Sequence, residues 1–211
     1  MTRILALLSC CMFLLICSCG KIMMGVYGVH NYEGYTIKQV DESARDYGIP
    51  QQDAFIMDSL YYQRFGFAKK ADIKGKVKDL FQPLQLRVYD LNGKLLSQYA
   101  NCNVPPGLFN LNWKIYLDTL PPNPKYVSAN DTLRKVNLQT EFEYVRPMYE
   151  TTRIASPTPK YYVVIYWSRF MGRQSKHFIK QVHKYFAPYK NQINYIYINT
   201  EPLYYNCGFY R

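Results

Sequence analysis

The chain has 211 residues, of which 48% are hydrophobic, and its 26 Lys+Arg against 15 Asp+Glu give a formal net charge of +11. This is the length of one domain with room for an insertion, and there is enough apolar side chain for a core. The six cysteines include no C-x-x-C pair and no metal-ligand spacing, so no metal centre is expected.

The N-terminus carries the first strong signal. A single basic residue, Arg3, precedes an uninterrupted apolar stretch over residues 4–17. That stretch is short of the roughly 20 residues a membrane span needs, and it suits the apolar region of a signal peptide. Ile16-Cys17-Ser18-Cys19-Gly20 follows. It resembles a bacterial lipobox, with an aliphatic residue three before the cysteine and a small one just before it, although Cys17 is unusual there. The resemblance implies a signal peptide over 1–18, cleavage, and lipidation of Cys19. Ordinary cleavage nearby, or an uncleaved anchor, are the alternatives. More than one acyl chain would give stable attachment.

These features imply a protein of the bacterial cell envelope, lipid-anchored to a membrane and facing the periplasm or exterior. Nucleic acid is not expected as a partner in that compartment. The basic charge suits anionic lipid head groups or an acidic partner instead, or else serves only to keep the surface soluble. Residues 19–35 carry several glycines and no clear period, and are expected to be a tether.

Residues 36–211 are expected to form a single α/β domain. A helical stretch is predicted over Ile37–Tyr47, a short strand over Ala54–Asp58 and a second helical stretch over Ser59–Lys69. Pro83 then opens Leu84-Gln85-Leu86-Arg87-Val88-Tyr89. Asp90-Leu91-Asn92-Gly93-Lys94 separates this run from Leu95-Leu96-Ser97-Gln98-Tyr99. Asn-Gly between alternating runs predicts a β-hairpin. Residues 100–135 are rich in Pro and Asn and are expected to be an irregular insertion. Leu138–Val145 reads as an edge strand ended by Pro147.

The last unit is the clearest. Tyr161–Trp167 is a continuous apolar, β-branched and aromatic run, as a buried parallel strand requires. After a turn, Phe178, Ile179, Val182, Tyr185 and Phe186 share one helical face. Pro188 ends that helix and Ile193–Ile198 is the next strand, so the unit should be a right-handed parallel crossover. Ile37-Lys38-Gln39-Val40 recurs as Ile179-Lys180-Gln181-Val182, each copy on a predicted helix that precedes a strand.

The loop between strand and helix reads Phe170-Met171-Gly172-Arg173-Gln174. A buried strand ending in Trp, then this loop, then a helix, resembles the thioredoxin family. In that family the loop is Trp-Cys-x-x-Cys. Met171 stands at the position of the nucleophilic Cys, and Gln174 at that of the resolving Cys. The resemblance implies a thioredoxin-like mixed sheet flanked by helices, with element order rearranged so that the crossover comes last. It also makes Pro83 the candidate for the family's cis-proline, at the head of the closing hairpin.

Thioredoxin chemistry needs a thiolate at a helix N-terminus. Met171 and Gln174 supply none. The resemblance therefore implies a redox-inactive member in which Phe170, Met171, Gly172, Arg173 and Gln174 form a candidate binding loop, exposing Met171, Gly172 and Arg173; the alternative is a loop that only packs. Outside the N-terminal segment only Cys102 and Cys207 remain. They are candidates for one disulfide, or two separate thiols.

No H-E-x-x-H, G-x-S-x-G or Walker pattern occurs. His177 and His183 sit among lysines and read as solvated. No catalytic residue, metal or cofactor is expected. The leading expectation is a lipoprotein that binds or scaffolds an unknown protein. The alternative is a thiol-disulfide oxidoreductase or redox sensor using Cys102 and Cys207.

Overall fold

A computed structural model describes residues 23–32, 34–58, 61, 81–113, 120, 136–150 and 159–206. In chain order these form helix α1 (Ile37–Asp46), strands β1 (Ala54–Met57), β2 (Gln85–Asp90) and β3 (Leu95–Ala100), helix α2 (Leu138–Phe142), strands β4 (Val145–Pro147) and β5 (Tyr161–Trp167), helix α3 (Arg173–Phe186), strand β6 (Ile193–Asn199) and helix α4 (Glu201–Asn206). The six strands make one mixed sheet in the order β3-β2-β5-β6-β1-β4. Its three central strands, β5, β6 and β1, run parallel, and antiparallel strands flank them on both sides.

Local chemistry explains these elements. α1 opens on a capping box: Thr36 accepts the Gln39 N–H, and the Gln39 side chain accepts the Thr36 N–H. The hairpin of β2 and β3 turns at Gly93, which takes φ +76°. The Asp90 side chain accepts the N–H groups of Asn92 and Lys94, both at 2.9 Å. β5 is buried from Val163 to Trp167, as expected of a central parallel strand. The crossover β5–α3–β6 and the helix–strand order of both Ile-Lys-Gln-Val copies follow the sequence reading. The copies differ in packing, because Ile37 is exposed and Ile179 is fully buried.

α3 turns Phe178, Ile179, Val182 and Phe186 inward. An ion pair of Lys176 with Asp46 at 2.6 Å links it to α1. The Tyr47 ring meets Trp167 edge-on, with centroids 5.5 Å apart, which closes the core beneath α1.

Three expectations need correction. Residues 138–142 are helical, and the edge strand is only Val145–Pro147. Asn137 caps that helix by accepting the Thr140 N–H at 2.8 Å, which overrides the strand-like alternation. The described part of the expected tether is not loose: residues 23–27 are helical, and Val29, Tyr32 and Tyr35 pack against the core. His183 is half-buried rather than solvated, bonded to the Tyr197 hydroxyl and edge-on to Tyr195. Burial lowers its pKa, and burial with Lys180 nearby lowers that of His177. Apart from Tyr61, the expected helix over Ser59–Lys69 lies outside the described residues, as do residues 114–119 and 121–135 of the insertion. The insertion expected from residue 100 starts later: Ala100 ends β3 and Asn101–Asn103 make a turn of 3-10 helix, while 104–112 carry no helix or strand beyond isolated bridges.

Candidate functional site

The loop after β5 lies at the end of the sheet where β6 also ends and β2 begins, because Trp167 pairs with Asn199 and Tyr166 with Gln85. Pro83, two residues before β2, therefore approaches the same end.

Beneath the loop stands Glu201, which is fully buried. Its carboxylate accepts the backbone N–H groups of Arg169 and Phe170 and the Asn199 amide. Thr200 N–H donates to Trp167 O at 2.9 Å, and Ser175 Oγ to Ser168 O at 2.6 Å. The loop is thus clamped from below by the start of α4. Burial pushes the Glu201 carboxyl up to about 7, opposed by the bonds from Asn199, Arg169 and Phe170.

A raised carboxyl has a definite pH signature. Its contribution is fully present below the ordinary value of 4.5, where both states are protonated, and is lost as pH rises to about 7. Unfolding across that window releases a proton. The unfolding free energy of the wild type should therefore fall by roughly 1 kcal/mol per pH unit in the window, and Glu201→Gln should remove the slope. Urea unfolding of both proteins across a pH series tests this. Equal slopes would show that Glu201 does not titrate there.

The outer side of the loop is covered. Met171 and Gly172 are buried and Gln174 is 1% exposed, so the exposed binding loop expected from the sequence is not present. Only Arg173 reaches solvent. Two stretches of the chain's own backbone form the cover, residues 23–32 and 105–113. Gln174 Nε2 donates to Tyr27 O, to Phe109 O at 3.0 Å and to Asn110 Oδ1 at 3.3 Å, while its Oε1 accepts the Leu111 N–H at 3.1 Å. The Arg173 guanidinium donates to Val26 O and Phe109 O. His30 N–H donates to Phe170 O at 2.8 Å.

The first N–H of α3, on Arg173, donates to Gly28 O at 3.1 Å. The helix end that an anion or carboxylate could occupy is thus filled by a peptide carbonyl. This close approach needs glycine on both sides. Gly28 and Gly172 both have positive φ, and a Cβ on Gly172 would stand 2.3 Å from Gly28 O.

Beside the sealed loop the surface is open. A cavity of about 690 Å³ is lined by His30, Gly34, Tyr35, Thr36, Gln39 and Arg169. A second hollow of about 420 Å³ shares His30, Gln39 and Arg169 and continues along α1 past Glu42, Ser43 and Asp46. Arg169 Nη2 donates to Gly34 O at 2.5 Å. Its Nε is buried without a hydrogen-bond partner among the described residues. The groove therefore runs from the Arg169 guanidinium to the carboxylates of Glu42 and Asp46, the latter paired with Lys176.

A second polar cluster is enclosed in the sheet's other face. Arg87 on β2 is fully buried and paired with Glu141 on α2. Its Nη1 also donates to the hydroxyls of Tyr61 at 3.1 Å and Tyr166 at 2.9 Å, and its Nη2 to Gln85 Oε1 at 2.8 Å. Glu141 accepts from Tyr89 and Tyr166. Burial alone would lower the Arg87 pKa, but the Glu141 carboxylate and the surrounding tyrosines raise it well above its ordinary value. Burial and Glu141 raise the Tyr89 hydroxyl. This cluster braces β2, α2 and β5.

Cys102 is exposed in a single turn of 3-10 helix, while Cys19 and Cys207 lie outside the described residues. Among the described residues no group of three or more metal-ligating side chains occurs, and no helix is long and apolar enough to cross a membrane. No family model, no curated protein and no solved structure matches the chain.

Sequence reasoning found the loop and missed what holds it. Glu201 and His30 are single polar residues with no motif around them; Gln39 lies in the Ile-Lys-Gln-Val repeat and Arg169 just before the loop, but neither position marks a surface groove. Arg87 had a signal, because Gln85, Arg87 and Tyr89 alternate along β2. That alternation marks them as one face of the strand but not whether the face is covered.

Proposed function

We propose that this protein is a membrane-anchored extracytoplasmic lipoprotein of the bacterial envelope. Its domain is thioredoxin-like and redox-inactive, and it works by holding another protein. The lipobox-like Ile16–Cys19 segment supports the anchoring. The crossover β5–α3–β6, and the hairpin opening after Pro83 beside β5, support the thioredoxin-like reading.

The observation that carries the functional reading is Gln174. It stands where a resolving thiol would be, is 1% exposed, and spends both ends of its amide on the covering backbone. A position committed in that way joins chain segments and performs no exchange chemistry. The groove along α1, from Arg169 to Asp46, is the surface that supports partner binding.

One observation favours a second reading: Cys102 is exposed. An oxidoreductase or redox sensor using Cys102 and Cys207 would need such access. Insulin-disulfide reduction by the full chain in detergent, with dithiothreitol as electron donor, separates the two. The binding reading expects no turnover above the protein-free control. Turnover that disappears in Cys102→Ser or Cys207→Ser would establish the second reading.

A further inference from the structure

We propose that the face built from residues 23–28 and 107–109 docks on the lipid bilayer surface beside the anchor. The inference rests on the reading of Cys19 as the lipidated residue.

Among the described residues six large apolar side chains are exposed, and four lie on these two segments: Met23 at 50%, Val26 at 37%, Leu108 at 81% and Phe109 at 53%. Met23 and Val26 are three apart on the helical residues 23–27, so they share a face. The segments are stitched together. Tyr27 Oη donates to Gly107 O at 2.9 Å, and the Arg173 guanidinium bridges Val26 O and Phe109 O.

Leu108 and Phe109 form the tip of a tight turn, closed by Gly107 N–H donating to Asn110 O at 2.8 Å and by the bridge of Pro106 with Leu111. Turn tips in water ordinarily carry Gly, Pro, Asn, Asp or Ser. A rigid tip bearing Leu and Phe suits the boundary between head groups and acyl chains.

Chain length identifies the occupant. Met23 is the fourth residue after Cys19. Four extended residues span at most about 14 Å. An acylated Cys19 therefore keeps Met23, and the turn stitched to its segment, at the membrane surface. Among the described residues Arg173 is an exposed cation on this face, placed to meet anionic head groups. Leu91 lies at the opposite end of the sheet, in the turn after β2, and stays in water.

The test uses the full chain, purified with its acyl chains from bacterial membranes. It is reconstituted in vesicles of phosphatidylethanolamine and phosphatidylglycerol brominated on their acyl chains near the head group. Leu108→Trp and Leu91→Trp each add one Trp at an exposed position, with Phe109→Trp as a second reporter on the tip. Bromine should quench the Leu108→Trp and Phe109→Trp proteins about twofold more than the wild type, since an interfacial side chain sits about 5–10 Å deep. Leu91→Trp should match the wild type. Tip reporters quenched no more than Leu91→Trp, in protein that still floats with the vesicles, would overturn the docking face and leave the anchor intact. Blue-shifted but unquenched tip emission would put a protein surface over the patch and also overturn it. A wild-type chain that does not float, and carries no acyl group on Cys19, would remove the anchor and this inference together.

Discussion

Glu141→Ala is expected to cost about 3–5 kcal/mol of folding stability, because it leaves a buried charge without its partner. Arg87 has no exposed surface, and Glu141 is 2% exposed. The substitution strips the acceptor from Arg87 Nη1 and from the hydroxyls of Tyr89 and Tyr166 at once. Tyr61 and Gln85 remain beside the guanidinium, but neither carries a compensating charge. The loss should be partly repaired in Arg87→Met/Glu141→Leu, which removes both buried charges but still leaves the hydroxyls of Tyr89 and Tyr166 without their Glu141 acceptor. Urea unfolding followed by Trp emission measures all three proteins. A single mutant within about 1 kcal/mol of the wild type, the cost typical of an exposed pair, would show that water reaches this cluster.

Gly172→Ala is the second large effect. Gly172 sits at φ +46°, where an L side chain is strained by about 1–3 kcal/mol. Its new Cβ would also stand 2.3 Å from Gly28 O and 2.8 Å from His30 Nε2. The first of these is backbone, so the segment carrying Gly28 and His30 must lift away. That motion breaks the Arg173 N–H bond to Gly28 O and the His30 N–H bond to Phe170 O. The expected result is a stability loss of more than about 2 kcal/mol, strain plus the lost bonds, with new protease cleavage within residues 23–32. Unchanged stability and no new cleavage would mean that the two glycines do not meet.

Legibility from sequence divided along physical lines. β5, α3 and β6 were legible because long apolar runs and a clean helical face encode burial locally. The β2–β3 hairpin was legible because Asn-Gly specifies its turn. Leu138–Phe142 was misread because Leu138, Thr140 and Phe142 alternate with polar residues as a strand would, and the deciding residue was the cap Asn137 just before it. The described residues before α1 looked like a tether because nothing local orders them. Their order comes from carbonyls of Val26, Tyr27 and Gly28 that meet Arg173 and Gln174 about 147 positions later. The loop itself was found by resemblance. Its sealing was not, since a glycine's close approach to a distant carbonyl leaves no period in the sequence. Arg87 and Glu201 were missed for the same reason: burial of a lone charge is set by what packs over it.

The central claim is that the loop at the end of β5 is closed by the protein's own backbone and acts as a structural joint. Amide hydrogen exchange on the full chain tests it most directly, at the N–H groups of Arg173 and His30. If the claim holds, both are protected in the wild type, on the scale of the β5 amides, and both lose that protection in Gly172→Ala. Exchange of these two amides in the wild type as fast as in an unfolded peptide would show an open loop, and would return Met171 and Gly172 to the solvent-facing role expected of the candidate binding loop.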